Sequence, residues 1–513
     1  MTLNLDARPA ASHATSSDIP SYWDNPAARV RGGGSDAAGG ITAPVDVDDA
    51  PRSAVDDAIE IQGTGTGTRL PSGQTPDGKP IQTARLHQGE QATVTREQTL
   101  ADAGFGQRYV SSDQVVFTTG AGNDDVQVTQ RDDGTLDVSI NDEAYAVRLG
   151  DGQELTIRSG AGNDVINVAS NVRVNIVVDG GAGDDSITTG AGDDRVDGGS
   201  GDDVIAGGAG RNDLFGNSGA DAIQGGDDVN IVHGGDGDDI LRAGAGTNFI
   251  EGGAGADAIH GGGRSDILSG GTGNDRIVAN DGRIYAGAGE DVIDGAGVGA
   301  TVYAEVGDLV NAAIGARPTV VNVEIDSSVG STITVEGSEA FRQRVQAEMD
   351  FLRSSPSGQQ MLAEFDTAAA AKGNSLTIKE LANEQNGYAQ TFSRDADIRN
   401  GRAGAGGDVD ISYNPSFHMD GFPAPVVVLY HEMSHAYNGV NGTFQPGTYR
   451  GEGPDSGSVP NAERQAVGLE TSAAPFDFDN NPATPATTSN PDHLTENGLR
   501  EELGMPDRPS YTL

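Results

Sequence analysis

His431 and His435 stand four residues apart with Glu432 between them, in the run His431-Glu432-Met433-Ser434-His435. On an α-helix that spacing turns both imidazoles toward one metal ion. The chain contains no cysteine, so a zinc ion here would be held by histidine and carboxylate alone. Two imidazoles require a third protein ligand and leave a fourth position for water, which Glu432 can deprotonate before passing the proton to a leaving amine. Glu463 is the favoured third ligand, because Asn461 to Leu469 reads as a helix able to bring one carboxylate back to the metal; Glu470 and Asp477 compete for the role. His418 and His493 read as surface histidines or as side chains that orient a ligand. Near the C-terminus, Arg508 and Tyr511 have the spacing of a pair that can polarise a scissile carbonyl and stabilise an oxyanion. They fit equally well as one salt bridge and one aromatic ring docking the chain end.

The surrounding sequence supplies elements to hold these groups. Val426 to Tyr430 is apolar enough for a buried helix, and Asn438-Gly439 supplies a stop signal after the motif. Val409, Ile411 and Tyr413 alternate as a strand just before it, an edge along which a substrate backbone can lie. Composition changes at about Gly337. Ser338 caps a helix whose buried stripe is Phe341, Val345, Met349 and Leu352, and Ser354-Ser355-Pro356 ends it before a second helix carrying Met361, Leu362 and Phe365.

A second signal lies upstream. From Gly180 to Val278 a nine-residue pattern, Gly-Gly-x-Gly-x-Asp-x-apolar-x, runs through eleven copies. Its sixth position reads Asp185, Asp194, Asp203, Asn212, Asp221, Asn230, Asp239, Asn248, Asp257, Asp266 and Asp275; its eighth is aliphatic every time, from Ile187 to Ile277. The register slips over 279–285 and resumes. Glycines permit the tight turn, backbone carbonyls and the Asp carboxylate offer hard oxygens, and the aliphatic residue points inward from a short strand. The segment holds eighteen acidic residues against five arginines, so its turns repel one another and folding is expected to depend on calcium. Before it, Val126/Val128, Leu136/Val138/Ile140 and Tyr145/Val147/Leu149 alternate as strands separated by Asp-Gly turns. After it, 319–325 and 332–335 read as strands closing the array. Residues 1 to about 100, rich in Gly, Ser, Thr, Pro and Asp, read as disordered, with room for a secretion signal.

Bulk composition agrees with a repeat array beside a smaller globular part: 513 residues contain 76 glycines and only 5% aromatics. Lys plus Arg is 32 against 77 Asp plus Glu, a net charge of −45, which repels nucleic acid and anionic membranes and attracts cations. No window is apolar enough for a membrane span, and a monomer is expected.

The repeats resemble the RTX β-roll, which implies a parallel roll with calcium between its turns; Asp185, Asp194, Asp203, Asp221, Asp239, Asp257, Asp266 and Asp275 are the implied calcium ligands. The three Asn residues at the sixth position and the glycine-poor copy around 227–232 depart from that pattern. The stretch from about Val335 to Leu513 resembles the NleD-like effector zinc metallopeptidases in four blocks: Gly337 to Phe341, His431 to Asn438, Asn461 to Leu469 and Thr495 to Gly504. That resemblance implies a Gram-negative type III effector that enters host cells and cuts a host signalling protein, with mitogen-activated protein kinases the known target class. The reading is therefore multidomain: a parallel β-roll followed by an α+β zincin-like metallopeptidase domain. The expected boundaries are a disordered region over 1–100, a β-rich lead-in over 101–178, the roll over 179–300, capping strands over 301–336 and the peptidase over 337–513. The expected activity is that of a secreted zinc metalloendopeptidase acting on a host protein and delivered into the host cell. The rival is a calcium-dependent adhesion or binding protein with an inactive or accessory peptidase-like domain.

Overall fold

The structure, a computed structural model, describes residues 58–104, 107–381, 387–391, 393, 395–416, 424–478 and 483–511. The expected disorder of residues 1–57, and His418, lie outside the described residues.

Among the described residues the first strand is Ile59–Gln62, some forty residues before the expected limit of disorder. The Thr- and Gln-rich composition hides the strands before residue 100, of which only Ile59–Gln62 has a remote partner. Ile59–Gln62 runs parallel to Glu143–Arg148, burying Ile61. Pro80–Gln88, Thr93–Gly104 and Gln107–Thr118 form an antiparallel meander. The three alternating runs from Val126 to Leu149 pair antiparallel, as Asp125–Gln130, Leu136–Ile140 and Glu143–Arg148.

Over residues 155–322 the chain winds as a β-solenoid between two long sheets. One nine-residue copy makes half a turn. Val196 pairs with Leu214 and Leu214 with Val232, each eighteen residues on in the same sheet, while Ile187, Ile205 and Ile223 pair in the other. All eleven eighth-position aliphatics meet between the sheets and are buried there, which removes water from both sheet faces at once. The turns stack so closely that a Cβ at Gly201 would lie 2.3 Å from the Gly183 carbonyl oxygen, and Gly201 has φ 124°, so glycine is required. Beyond Asp266 the offset falls to sixteen, Ile267 pairing with Arg283, which is the structural form of the slip over 279–285.

Thr319–Asn322 is the last solenoid strand. The segment read as one more closing strand goes elsewhere: Thr334–Glu336 pairs with Leu376–Glu380 in a separate four-stranded sheet. Val409–Tyr413 is an inner strand of that sheet, because Gly387–Thr391 folds antiparallel along its outer side. The edge strand on that side is thus Gly387–Thr391, and Thr334–Glu336 forms the opposite edge.

Around this sheet lie helices α1 (Glu339–Ser354), α2 (Pro356–Lys372), α3 (Pro425–Asn441), α4 (Asn461–Val467) and α5 (Glu496–Glu502). The Ser338 side chain caps α1 by accepting the Phe341 N–H, and the four expected stripe residues are buried. α1 also fastens this region to the roll. Arg344 bonds Asp197 at 3.1 Å and stacks over the Phe215 ring, and Phe351 packs on Phe249 and Tyr285. Among the described residues no helix is long and apolar enough to cross a membrane.

Candidate metal centre

α3 starts with Pro425 in its first turn, where a missing N–H leaves no helical bond unmade. It runs through the expected stop at Asn438-Gly439 and ends at Gly442, which adopts φ 73°. The cause lies in the Asn438 side chain, which is committed to the interior. Its Nδ2 donates to the Ser434 carbonyl at 2.9 Å, and its Oδ1 accepts from Thr443 and from Gln465 on α4, both at 2.9 Å. Gln465 also donates to the Thr443 carbonyl and to Asn490. This buried network fixes α4 against α3 and so fixes Glu463 opposite the two histidines.

His431, His435 and Glu463 each offer a ligand atom within 4.8 Å of the others. The Nε2 atoms of His435 and His431 lie 3.0 and 3.7 Å from the same Glu463 oxygen. Glu470 is exposed, and neither it nor Asp477 belongs to a metal-ligating group among the described residues. The His493 ring is outside the cluster, half-buried and held below the usual imidazole range by that burial; its carbonyl accepts the Tyr430 hydroxyl.

The other ring nitrogen of His431 exposes a residue whose role spacing did not reveal. Nδ1 lies 2.9 Å from Oε2 of Glu496, which is fully buried at the start of α5. Thr495 caps that helix by accepting the Gly498 N–H. Arg500 and Arg508 balance the carboxylate at 3.4 and 3.2 Å. Glu496 therefore orients His431 so that Nε2 faces Glu463, the arrangement that metal-binding imidazoles require. Burial alone would lower the His431 pKa, but hydrogen bonds to Glu463 and Glu496 carry it up to about 10. Burial likewise works against the Glu463 charge, and the two histidines overcome it, holding the carboxyl well below the usual carboxylate range.

Glu432 is nearly buried on α3, and its charge contributes to the upward shift of His431. Tyr511 stacks obliquely near His431, ring centroids 6.2 Å apart, and its hydroxyl is pushed up to about 12 by burial and by the charges of Glu463 and Glu432. Arg508 meets the centre differently: its guanidinium bonds Glu496 and the Tyr511 carbonyl, and its N–H donates to Asn497. Two imidazole nitrogens and one carboxylate oxygen, with no thiolate available, form a donor set that suits zinc with an open fourth position.

Residues 329–511 match the model of a peptidase family, Peptidase_M91, described as "Effector protein". The C-terminal region is an M91 effector domain. Its match begins ahead of Gly337 and takes in Thr334–Glu336, in keeping with the sheet to which that strand belongs. Six segments between 177 and 297 match the RTX calcium-binding nonapeptide repeat, so the M91 domain follows an RTX β-roll whose repeats imply calcium binding. No curated protein and no solved structure matches the chain.

The roll's eight expected Asp ligands are all buried, and they divide between its two rims of turns. Asp185, Asp203, Asp221, Asp239, Asp257 and Asp275 stack on one rim, Asp194 and Asp266 on the other. On the first rim one carboxylate oxygen accepts a backbone N–H from the preceding turn, as Asp221 does from Asp203 at 2.8 Å. The other oxygen is buried without a hydrogen-bond partner. Burial and neighbouring aspartates push Asp203 up to about 8 and Asp239 up to about 9. A column of buried, half-satisfied carboxylates is what a row of divalent cations would complete.

Proposed function

We propose that the M91 effector domain is a secreted zinc metalloendopeptidase that hydrolyses peptide bonds of a host protein. The convergence of His431, His435 and Glu463, with Glu496 behind His431, carries this reading. Zinc bound there would supply a Lewis acid and lower the pKa of a water molecule in the fourth position. Glu432 would serve as the general base for that water and as the general acid toward the leaving amine nitrogen. The Tyr511 phenol stays protonated at neutral pH, given its upward shift, and serves as a hydrogen-bond donor to the carbonyl oxygen as negative charge develops on it. Arg508 acts through Glu496, which it neutralises, rather than on the substrate. A substrate backbone laid along Gly387–Thr391 would extend the four-stranded sheet toward the centre, with main-chain bonds giving affinity.

Secretion fits the effector description together with repeats that fold on calcium. By the resemblance of the catalytic blocks, host signalling kinases are the first substrates to test. The deciding experiment measures zinc and calcium content of the full chain by mass spectrometry, alongside hydrolysis of a peptide library, for wild type and Glu463→Ala. One zinc per chain and hydrolysis, both lost in the variant while calcium remains, supports the reading. A chain that binds calcium but no zinc would leave the calcium-dependent binding protein as the better account.

A further inference from the structure

The eleven sixth-position residues alternate strictly between the two rims, and every Asn falls on one of them. Asn212, Asn230 and Asn248 occupy the second rim with Asp194 and Asp266 at its ends; the first rim carries Asp throughout. The chemical states of the two rims differ accordingly. On the first, the outer oxygens of Asp185, Asp203, Asp221, Asp239, Asp257 and Asp275 are buried and unpartnered, in residues no more than 2% exposed. On the second, none is left over.

Asn212 donates its side-chain amide to the Gly210 carbonyl at 3.2 Å, and Asn248 to the Gly246 carbonyl at 3.1 Å. Asn230 donates to the carbonyls of Asp228 at 2.9 Å, Gly226 at 3.1 Å and Ala243 at 3.2 Å. These are the turn carbonyls that a cation between the turns would need. The terminal aspartates are satisfied as well: Asp194 accepts from the N–H groups of Ile176 and Gly190, and Asp266 from those of Asn248 and Gly263.

The backbone separates the rims independently. In the first rim the fourth position of each turn is glycine with φ between 124° and 146°, from Gly183 to Gly273. In the second only Gly210 has a positive φ; Gly192 and Gly246 do not, and Asp228 and Arg264 replace the glycine. At the fifth position the first rim places Asp184, Asp202 and Asp238 among its six copies, whereas the second places Asp193 followed by Arg211, Val229, Thr247 and Ser265.

We infer that this roll binds calcium on one side only: ions sit between successive turns of the Asp rim, and the Asn rim takes none, its side-chain amides occupying the carbonyls that an ion would use. An amide donor and a cation compete for the same lone pairs, so the substitution removes both the charge and the vacancy. The Asn rim is also the one beside α5. Arg283, which follows that rim, donates to the Glu502 carbonyl at 2.8 Å. The M91 domain also reaches the Asp rim, Gln343 of α1 donating to the Ser218 hydroxyl at 2.9 Å and to Asp236 at 3.0 Å, so it joins turns held by amides to turns that calcium would fill.

The test uses calcium alone on the full chain, counting bound ions by equilibrium dialysis and following thermal unfolding with and without chelator. Asp221→Ala is expected to lower the calcium count. Asn230→Ala is expected to leave the count unchanged and to lower the unfolding midpoint in chelator. A calcium loss in Asn230→Ala like that in Asp221→Ala overturns the proposal. Should Asn230→Ala fail to fold, anomalous scattering from calcium in crystals of the wild-type chain decides: peaks along the Asp rim alone support it, and peaks between turns of the Asn rim refute it.

Discussion

The roll and the M91 domain assemble their candidate metal ligands in opposite ways. In the roll each ligand meets its own equivalent one turn away, so the same local pattern is stated again and again along the chain. In the M91 domain the centre is assembled once, from His431 and His435 on α3, Glu463 on α4 and Glu496 on α5. Repetition makes a site redundant and each member replaceable. A single assembly makes every member indispensable, and it places control in residues that touch no metal.

Glu432→Gln should give the largest effect, a fall in kcat of about 10²- to 10⁴-fold with zinc and calcium content unchanged, read by peptide hydrolysis and mass spectrometry. Retained turnover would show that the chemistry does not depend on that carboxylate. Leu241→Ala, deep between the roll's sheets, should cost ~2–5 kcal/mol in urea unfolding at saturating calcium. Its zinc content should stay normal, and a coupled loss of zinc would erase the distinction drawn between the two regions. Glu496→Gln is expected to weaken zinc affinity by about 10- to 100-fold in chelator competition while calcium binding is untouched. The smallest effect concerns the seam. Glu251 and Glu348 are completely buried there, and burial pushes both carboxyls well above their ordinary range, although the Tyr413 hydroxyl bonds Glu348 at 2.7 Å. A raised folded-state pKa gives stability that is complete below the ordinary carboxylate range and is lost as pH climbs through the folded value. The wild-type unfolding midpoint at saturating calcium should therefore drop as pH rises above the ordinary carboxylate range, and Glu251→Gln should flatten that slope. An unchanged slope in the variant would place the titration elsewhere.

The same contrast governs what could be read from residues alone. The nine-residue period and its buried aliphatic position were legible because each residue's environment recurs at fixed spacing. The division of the copies between two rims was not, since it depends on which sheet each strand joins. Asn212, Asn230 and Asn248 stand at regular intervals in the chain, yet the interval acquires meaning only once the turn length is known. His431, Glu432 and His435 announced themselves by helical spacing, and Glu463 lies in one group with the two histidines. Glu496 lies 65 residues from His431 with no local signal linking them. Among the strands before residue 100, Ile59–Gln62 was hidden for a related reason, its partner being the distant Glu143–Arg148. Pro80–Gln88 and Thr93–Gly104 pair with chain neighbours and were hidden by their polar composition. Asn438-Gly439 misled because a buried side-chain network outweighs a local stop signal.

The pairing interval of eighteen residues also sets the step by which this gene can grow or shrink. Duplicating or deleting one nine-residue copy would hand every later strand to the opposite sheet and every later Asp to the opposite rim, scrambling the two columns. Adding or removing two copies together keeps each column in order and changes only the length of the roll. The pair of repeats is therefore the smallest unit whose gain or loss would keep Asn212, Asn230 and Asn248 in one column.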